Sequence, residues 1–560
     1  MKSICIYMTL LAAQILWGQG TKNTAVKELP LRNVFTTNIE ATLDAVFNQA
    51  YPAHSPGATV LLAKADTILY RKAFGMANLE LNVQMKPETV LQLASITKQF
   101  TSVAVLMLME QGKLSLKDPL SKYIADFPRG NEITLHHLLN HTSGIKSYTN
   151  LPEFRTKTRL DMTPEEIIAV FKSQPLDFKP GERFAYSNSG YVLLGYIIEQ
   201  LSGMSYNDFI QKIIFDRLGM KNSSYADTYK IIPNRANGYQ LYEGNYENAE
   251  YMSTTVPYAA GSLMSTIDDM FRWNRAMHNN LLITERTKQL AFTNYRLNNG
   301  TYSNYGYGWY VNEIEGISTV EHPGGMNGFT TAGIYVPQKD IYAIVLSNRD
   351  DGVGAEMITL KAVATLLGKP ITSDVAVSLK ENDLKKWEGA YQFEDVVRFI
   401  TLEKGVLYSK REGGRPKALV PLSANVYRLE NSLATYKFSF KNGKRQVLYE
   451  ERISKSIGVE TDKKPFTEKE AIVLTPKILS RYTGVYELQP GFQIEITLKK
   501  DRLFAKASGQ PEVELIAEAD NRFFIREIGA RIVFNQSPEG VVNSLTFSQG
   551  ADKTEGKKIR

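Results

Sequence analysis

The chain has 560 residues, 43% of them hydrophobic and 11% aromatic, and a formal net charge of +7 from 66 basic and 59 acidic side chains. That length exceeds a single hydrophobic core and points to roughly two to four domains of ordinary globular composition. The basic excess is small and scattered, with "KNGKR" and "EGKKIR" reading as a solvated turn and tail, which argues against a nucleic-acid partner.

The chain opens "MKSICIYMTLLAAQILWGQG": one lysine, an apolar run from Ile4 to Trp17, then Gly18 and Gly20. This is the pattern of a secretory signal peptide over residues 1–20, with cleavage after Gly18 or Gly20. The only cysteine, Cys5, lies inside it, too early to be a lipoprotein attachment point. The mature chain is then expected to have no disulfide, thiol nucleophile or cysteine metal site. No later segment approaches the ~20 apolar residues of a membrane span. A secreted or periplasmic protein without such a span is expected.

"GATVLLAKADTILYRKAFG" reads as an early β-hairpin. "TSVAVLMLMEQGKL" reads as a buried helix ended by Gly112, and "YVLLGYIIEQLSG" as a second ended by Gly203. "TAGIYVPQKDIYAIVLSN" is a second hairpin. Strands at both ends of a helical middle imply an α+β domain over residues 38–370, an antiparallel sheet with helices beside it.

After about residue 380 helical periodicity fades and short alternating strands take over. "LKKWEGAY" (Leu384 to Tyr391) is echoed by "LSRYTGVY" (Leu479 to Tyr486), an internal repeat. Two small all-β units are implied, 380–455 and 475–556, joined by the polar stretch "GVETDKKPFTEKE". Each is short of core and is expected to lean on its neighbours.

Three stretches can carry chemistry. In "LASITKQF", Ser95 and Lys98 fall on one helical face, three residues apart, at a helix N-terminus. A serine hydroxyl needs a base in reach and donors for the oxyanion, and a buried lysine of lowered pKa can be that base. The pair alone describes an ordinary helix start equally well. In "KPGERFAYSNSGYVLLG", Tyr186 can pass a proton and Asn188 can fix both Lys98 and a substrate amide. In "EHPGGMNGF", His322 leads glycines that let backbone approach a ligand, and the N–H of Gly325 could pair with that of Ser95 as an oxyanion hole. His322 could hydrogen-bond Tyr186 or a leaving group.

S-x-x-K, Y-S-N about 90 residues on and H-x-G about 135 further, in that order, resemble the serine β-lactamase-like superfamily. Class C β-lactamases, D-aminopeptidases, D,D-carboxypeptidases and family VIII carboxylesterases are the similar groups. "LHHLLNHTSGI" and "AAGSLMSTIDDMFRW" support the likeness, which covers residues 40–370. The resemblance implies an antiparallel sheet flanked by helices with an all-helical subdomain, and lipocalin-like barrels behind it. It implies Ser95 as acylated nucleophile and Lys98 and Tyr186 sharing acid–base work, in either order. Asn188 would position substrate, with His322 and Gly324 on an edge strand facing Ser95. In some D-aminopeptidases a barrel loop reaches the active site, which implies a contact between barrel and cleft.

One departure matters. Many relatives place lysine where this chain has His322, which is mostly neutral near pH 7. That weakens the case for β-lactams and free C-terminal carboxylates. The expectation is an exported serine hydrolase, needing no cofactor, for peptides or amides, including D-residue ones, or small esters. The alternatives are a β-lactamase and a non-catalytic penicillin-recognising or wall-binding protein; a homo-oligomer stays open. His136, His137 and His141 lack the H-E-x-x-H glutamate and are not read as metal ligands. Tyr305, Tyr307 and Trp309 suit strand packing as well as a cleft wall.

Overall fold

The computed structural model describes residues 37–560 apart from 152–153, 155–156, 243, 352–353, 372–376, 395, 412–415, 431, 464–470, 490–491, 509–511, 527–528, 538–539 and 550–551. The segment expected to direct export lies outside the described residues.

Strands β1 (Ala58–Lys64) and β2 (Thr67–Phe74) form the first hairpin. Far along the chain, β3 (Tyr310–Ile314), β4 (Ile317–Met326), β5 (Phe329–Val336) and β6 (Ile341–Ser347) form a meander. Pairing of β6 with β1 completes a six-stranded antiparallel sheet in the order β3-β4-β5-β6-β1-β2. Every residue of β6 is buried, because both faces are covered. Successive side chains of a strand point to opposite faces, and β1 divides accordingly. Val60 and Leu62 join a core with helix α1 (Thr37–Ala50), whereas Leu61 and Ala63 join the core of the helical middle.

That middle is organised around α2 (Thr97–Glu110), buried on every side from Thr97 to Leu108. An all-round apolar helix has to be central. It stops at Gly112, φ 71°, where the N–H of Lys113 reaches back to the carbonyl of Leu108 at 3.0 Å, a glycine-dependent C-terminal cap. Helix α3 (Asn188–Ser202) ends likewise at Gly203, φ 70°. Helix α4 (Ala355–Leu366) packs with α1 on the far face of the sheet.

The C-terminal region forms two closed eight-stranded barrels. The repeat read from sequence has a physical basis. Tyr391 donates its hydroxyl to the carbonyl of Trp387 at 2.8 Å, and Tyr486 to that of Tyr482 at 2.9 Å. Trp387 stacks on Phe438 and Tyr482 on Phe534. The intervening Gly389 and Gly484 have φ of 149° and 141°. Two boundaries differ from the sequence reading. The first barrel closes with Ser454–Thr461, running past residue 455 into the stretch taken for linker, and the second with Asp552–Lys558, past 556. "GVET" looks like linker because it runs on into the polar "DKKPFTEKE", yet its backbone pairs with both neighbours.

Two turns of the first barrel reach the sheet: Leu433 packs against the core that the sheet shares with α1, and a second turn makes polar contacts. Arg452 and Ile453 join the strands Lys444–Glu451 and Ser454–Thr461. Arg452 forms a two-pronged ion pair with Glu321 of β4, both side chains nearly inaccessible at 6% and 4% exposure. It also donates to Thr319 Oγ1 at 3.0 Å and to the carbonyl of Glu313 at 2.8 Å. Arg452 holds φ 56°, a conformation usual for Gly or Asn in such turns and costing other residues roughly 1–2 kcal/mol.

Candidate active site

Ser95 lies in a short 3-10 turn, Ala94–Ile96, that runs directly into α2. Ala94 before it has a left-handed φ of 48°, so the serine stands on a sharp bend. Gly324 of β4 makes room for this bend: a Cβ there would lie 2.5 Å from the carbonyl oxygen of Leu93 and 3.1 Å from Ser95 N. Only glycine admits so close an approach.

Lys98, one turn along α2, is completely buried. Its Nζ lies 3.1 Å from Ser95 Oγ, 2.8 Å from Asn188 Oδ1 and 2.8 Å from the carbonyl oxygen of Ala260. None of these partners is an anion, and burial holds the amine well below the ordinary lysine pKa. Asn188 is the first residue of α3 and is held on both sides. Its amide nitrogen donates to Thr149 Oγ1 at 3.2 Å and its backbone N–H to Ser147 Oγ at 3.1 Å.

Tyr186 precedes α3. Its ring lies under the lysine, with Nζ 4.8 Å from the ring centre, and is stacked parallel to Tyr310 and against His141. Its buried hydroxyl has no good hydrogen-bond partner among the described residues. Burial pushes this phenol well above its ordinary pKa, with nearby Tyr310 adding to the rise and Ser95 tempering it. Lowered lysine and raised tyrosine together favour a neutral amine beside a neutral phenol.

His322 is buried on β4, with its pKa pushed down to about 3 by burial and by Lys98. Nδ1 faces the carbonyl of Pro323 at 2.5 Å, so it carries the proton, and Nε2 accepts from the Tyr305 hydroxyl at 2.9 Å. The imidazole is therefore bonded to Tyr305 rather than to Tyr186, whose ring centre is 6.1 Å away. Nor is β4 the outermost strand. β3 lies beyond it but stops opposite Glu321, leaving His322 to Met326 as a free edge toward the cleft. Tyr305→Phe would leave Nε2 buried without a donor. A loss of about 1–3 kcal/mol is expected, read as a lower urea midpoint.

Ser95 and Gly325 sit where two cavities meet. One, about 380 Å³, is lined by Tyr148, Asn188, Met252 and Met326. The other, about 310 Å³, is lined by Tyr186, Tyr310, His322, Thr331 and Glu356. All seven residues singled out in the sequence thus converge. Sequence reading missed the carbonyl of Ala260, which leaves no side-chain signal, and Tyr310; it left Tyr305 open between packing and the cleft wall, and weighed His141 only as a metal ligand. The three histidines weighed as metal ligands are hydrogen-bonded within the protein: His136 meets the Tyr307 hydroxyl at 2.7 Å, His137 accepts the Thr134 N–H at 3.2 Å, and His141 accepts that of Ser187 at 3.1 Å.

Comparison with known proteins agrees with this geometry. Residues 43–366 match the family described as Beta-lactamase, and residues 468–558 match a domain of unknown function, DUF3471. The chain is 26% identical over 528 residues to Penicillin-binding protein 4* of Bacillus subtilis, covering 91% of this chain and 97% of that one. Among solved structures, the octameric penicillin-binding protein homologue from Pyrococcus abyssi is 29% identical with a TM-score of 0.54, over 75% of this chain and 99% of that one. A D-stereospecific amidohydrolase from Streptomyces sp. is 25% identical with a TM-score of 0.50, over 56% and 94%.

Proposed function

Because this chain belongs to the β-lactamase family and is a serine hydrolase, we propose that it cleaves amides or short peptides, D-residue ones included, through an acyl-enzyme on Ser95. The observation that carries this is the set of three contacts made by Lys98. Two N–H bonds are taken by the oxygens of Asn188 and Ala260, which leaves the lone pair of a neutral amine directed at the Ser95 hydroxyl. Lys98 then takes the serine proton as Oγ attacks the acyl carbon. The N–H groups of Ser95 and Gly325 receive the oxyanion. Tyr186, protonated at rest, gives its proton to the departing nitrogen as the C–N bond breaks and regains one from the now protonated Lys98. Water then hydrolyses the ester.

The substrate class follows from His322 and from the relatives. A neutral imidazole, tied up by Tyr305 and Pro323, offers a carboxylate no cation, which disfavours β-lactams. The amidohydrolase relative is described as D-stereospecific. The amino-terminal pattern of residues 1–20 supports export. The octameric description of the Pyrococcus relative supports self-association, which light scattering tests.

A fluorophosphonate probe tests the chemistry. It should label Ser95, located by mass spectrometry, and labelling should vanish in Ser95→Ala. A panel of p-nitroanilides, D-aminoacyl amides, short esters and nitrocefin then ranks substrates. Labelling that survives Ser95→Ala ends this reading, and fastest turnover of nitrocefin makes the protein a β-lactamase in activity.

A further inference from the structure

The two cavities at Ser95 have different chemistry. The departing amine must receive a proton, and Tyr186 lines only the smaller one. That cavity therefore takes the leaving group. Its described lining is neutral except for Glu356: Tyr310, Thr330 and Thr331 are uncharged, and His322 is an unprotonated imidazole.

Glu356 belongs to the first turn of α4. It is open to the solvent of the cleft but walled by protein. Among the described residues it has no hydrogen-bond or ion-pair partner. Arg452, the cation whose charge acts on it, is already paired with Glu321. Enclosure and the charge of Glu321 raise the carboxyl above its ordinary pKa, the sign expected of an anion short of a counter-charge.

We propose that Glu356 is a specificity-determining residue that selects a leaving group bearing a positive charge. The substrate is then an amide or peptide whose residue after the scissile bond carries an ammonium or guanidinium side chain. The same carboxylate repels a leaving group that carries an anion. This rests on the acyl-enzyme reading above and adds the charge of the group that leaves. The reaction is unchanged: the amine departs with the proton from Tyr186, and its second, cationic group stays charged throughout.

The test uses the full chain and three amides sharing one acyl group, with lysine amide, norleucine amide or glutamate amide as the leaving portion. In the wild type, kcat/KM for the lysine amide should exceed that for the norleucine amide by about ten-fold, equivalent to about 1.4 kcal/mol. The glutamate amide should be poorest. The lysine preference should shrink in high salt, as expected of a cleft-exposed pair. In Glu356→Gln the lysine-to-norleucine ratio should fall to about one, and Glu356→Lys should invert the order. Ratios are taken within each variant, so a change in overall rate does not enter. Equal rates for the three amides in the wild type, or a lysine preference that survives Glu356→Gln, overturns the proposal. Failure of all three amides together with absent labelling at Ser95 instead overturns the acyl-enzyme reading beneath it.

Discussion

Lys98→Met should lower kcat/KM by at least ~10²-fold, the low end of what a positioned acid or base contributes, and adding Tyr186→Phe should lower it little further. Methionine nearly preserves the volume of a fully buried side chain, so packing changes little. What is lost is the only nitrogen within reach of Ser95 Oγ from α2. If lysine and tyrosine form one proton path, its first break does most of the damage. Losses that simply multiply would show two independent roles. The pH profile gives a second check. Activity requires unprotonated Lys98, so kcat/KM should rise with pH through the lowered lysine pKa and fall as acid protonates the amine. The raised Tyr186 pKa delays loss of the phenol proton beyond the ordinary tyrosine range. An acid limb at the ordinary lysine value would show that burial does not lower this amine.

The second large effect is expected at a distance from Ser95. Arg452→Leu should destabilise the protein by about 3–5 kcal/mol, because it leaves Glu321 buried without its counter-charge. Urea unfolding followed by tryptophan fluorescence measures this. Replacing both partners, Arg452→Leu with Glu321→Leu, should recover most of the loss, since two apolar groups leave no charge unpaired. Glu321 is followed in β4 by His322, so the single variant should also reduce activity at temperatures where the protein stays folded. A double variant no more stable than the single one would mean that Arg452 acts through Thr319 and the Glu313 carbonyl instead.

Much of this was legible in the sequence. The two helix ends at Gly112 and Gly203 and the two hairpins are local events, each set by a glycine or by alternation over a few residues. The spacing of Ser95 and Lys98 is local too. Convergence of Tyr186 and His322 on them came through family likeness, since no periodicity brings residues so far apart together. What stayed hidden depends on long-range contact. Ala260 contributes a carbonyl, identical in every residue type. Tyr305 is distinguished from a packing tyrosine only by its bond to His322. Arg452 and Glu321 are 131 positions apart. The "GVET" end of strand Ser454–Thr461 resembled linker because its pairing, not its composition, makes it a strand.

The two barrels share one strand order, and the closing hairpin of the first carries the turn that pairs with the hydrolase sheet. That turn holds Arg452 and Ile453 between Lys444–Glu451 and Ser454–Thr461. Arg452 therefore carries a left-handed backbone whose compensation lies outside its own barrel: separated from the hydrolase sheet, that barrel would keep the strained bend and lose the ion pair.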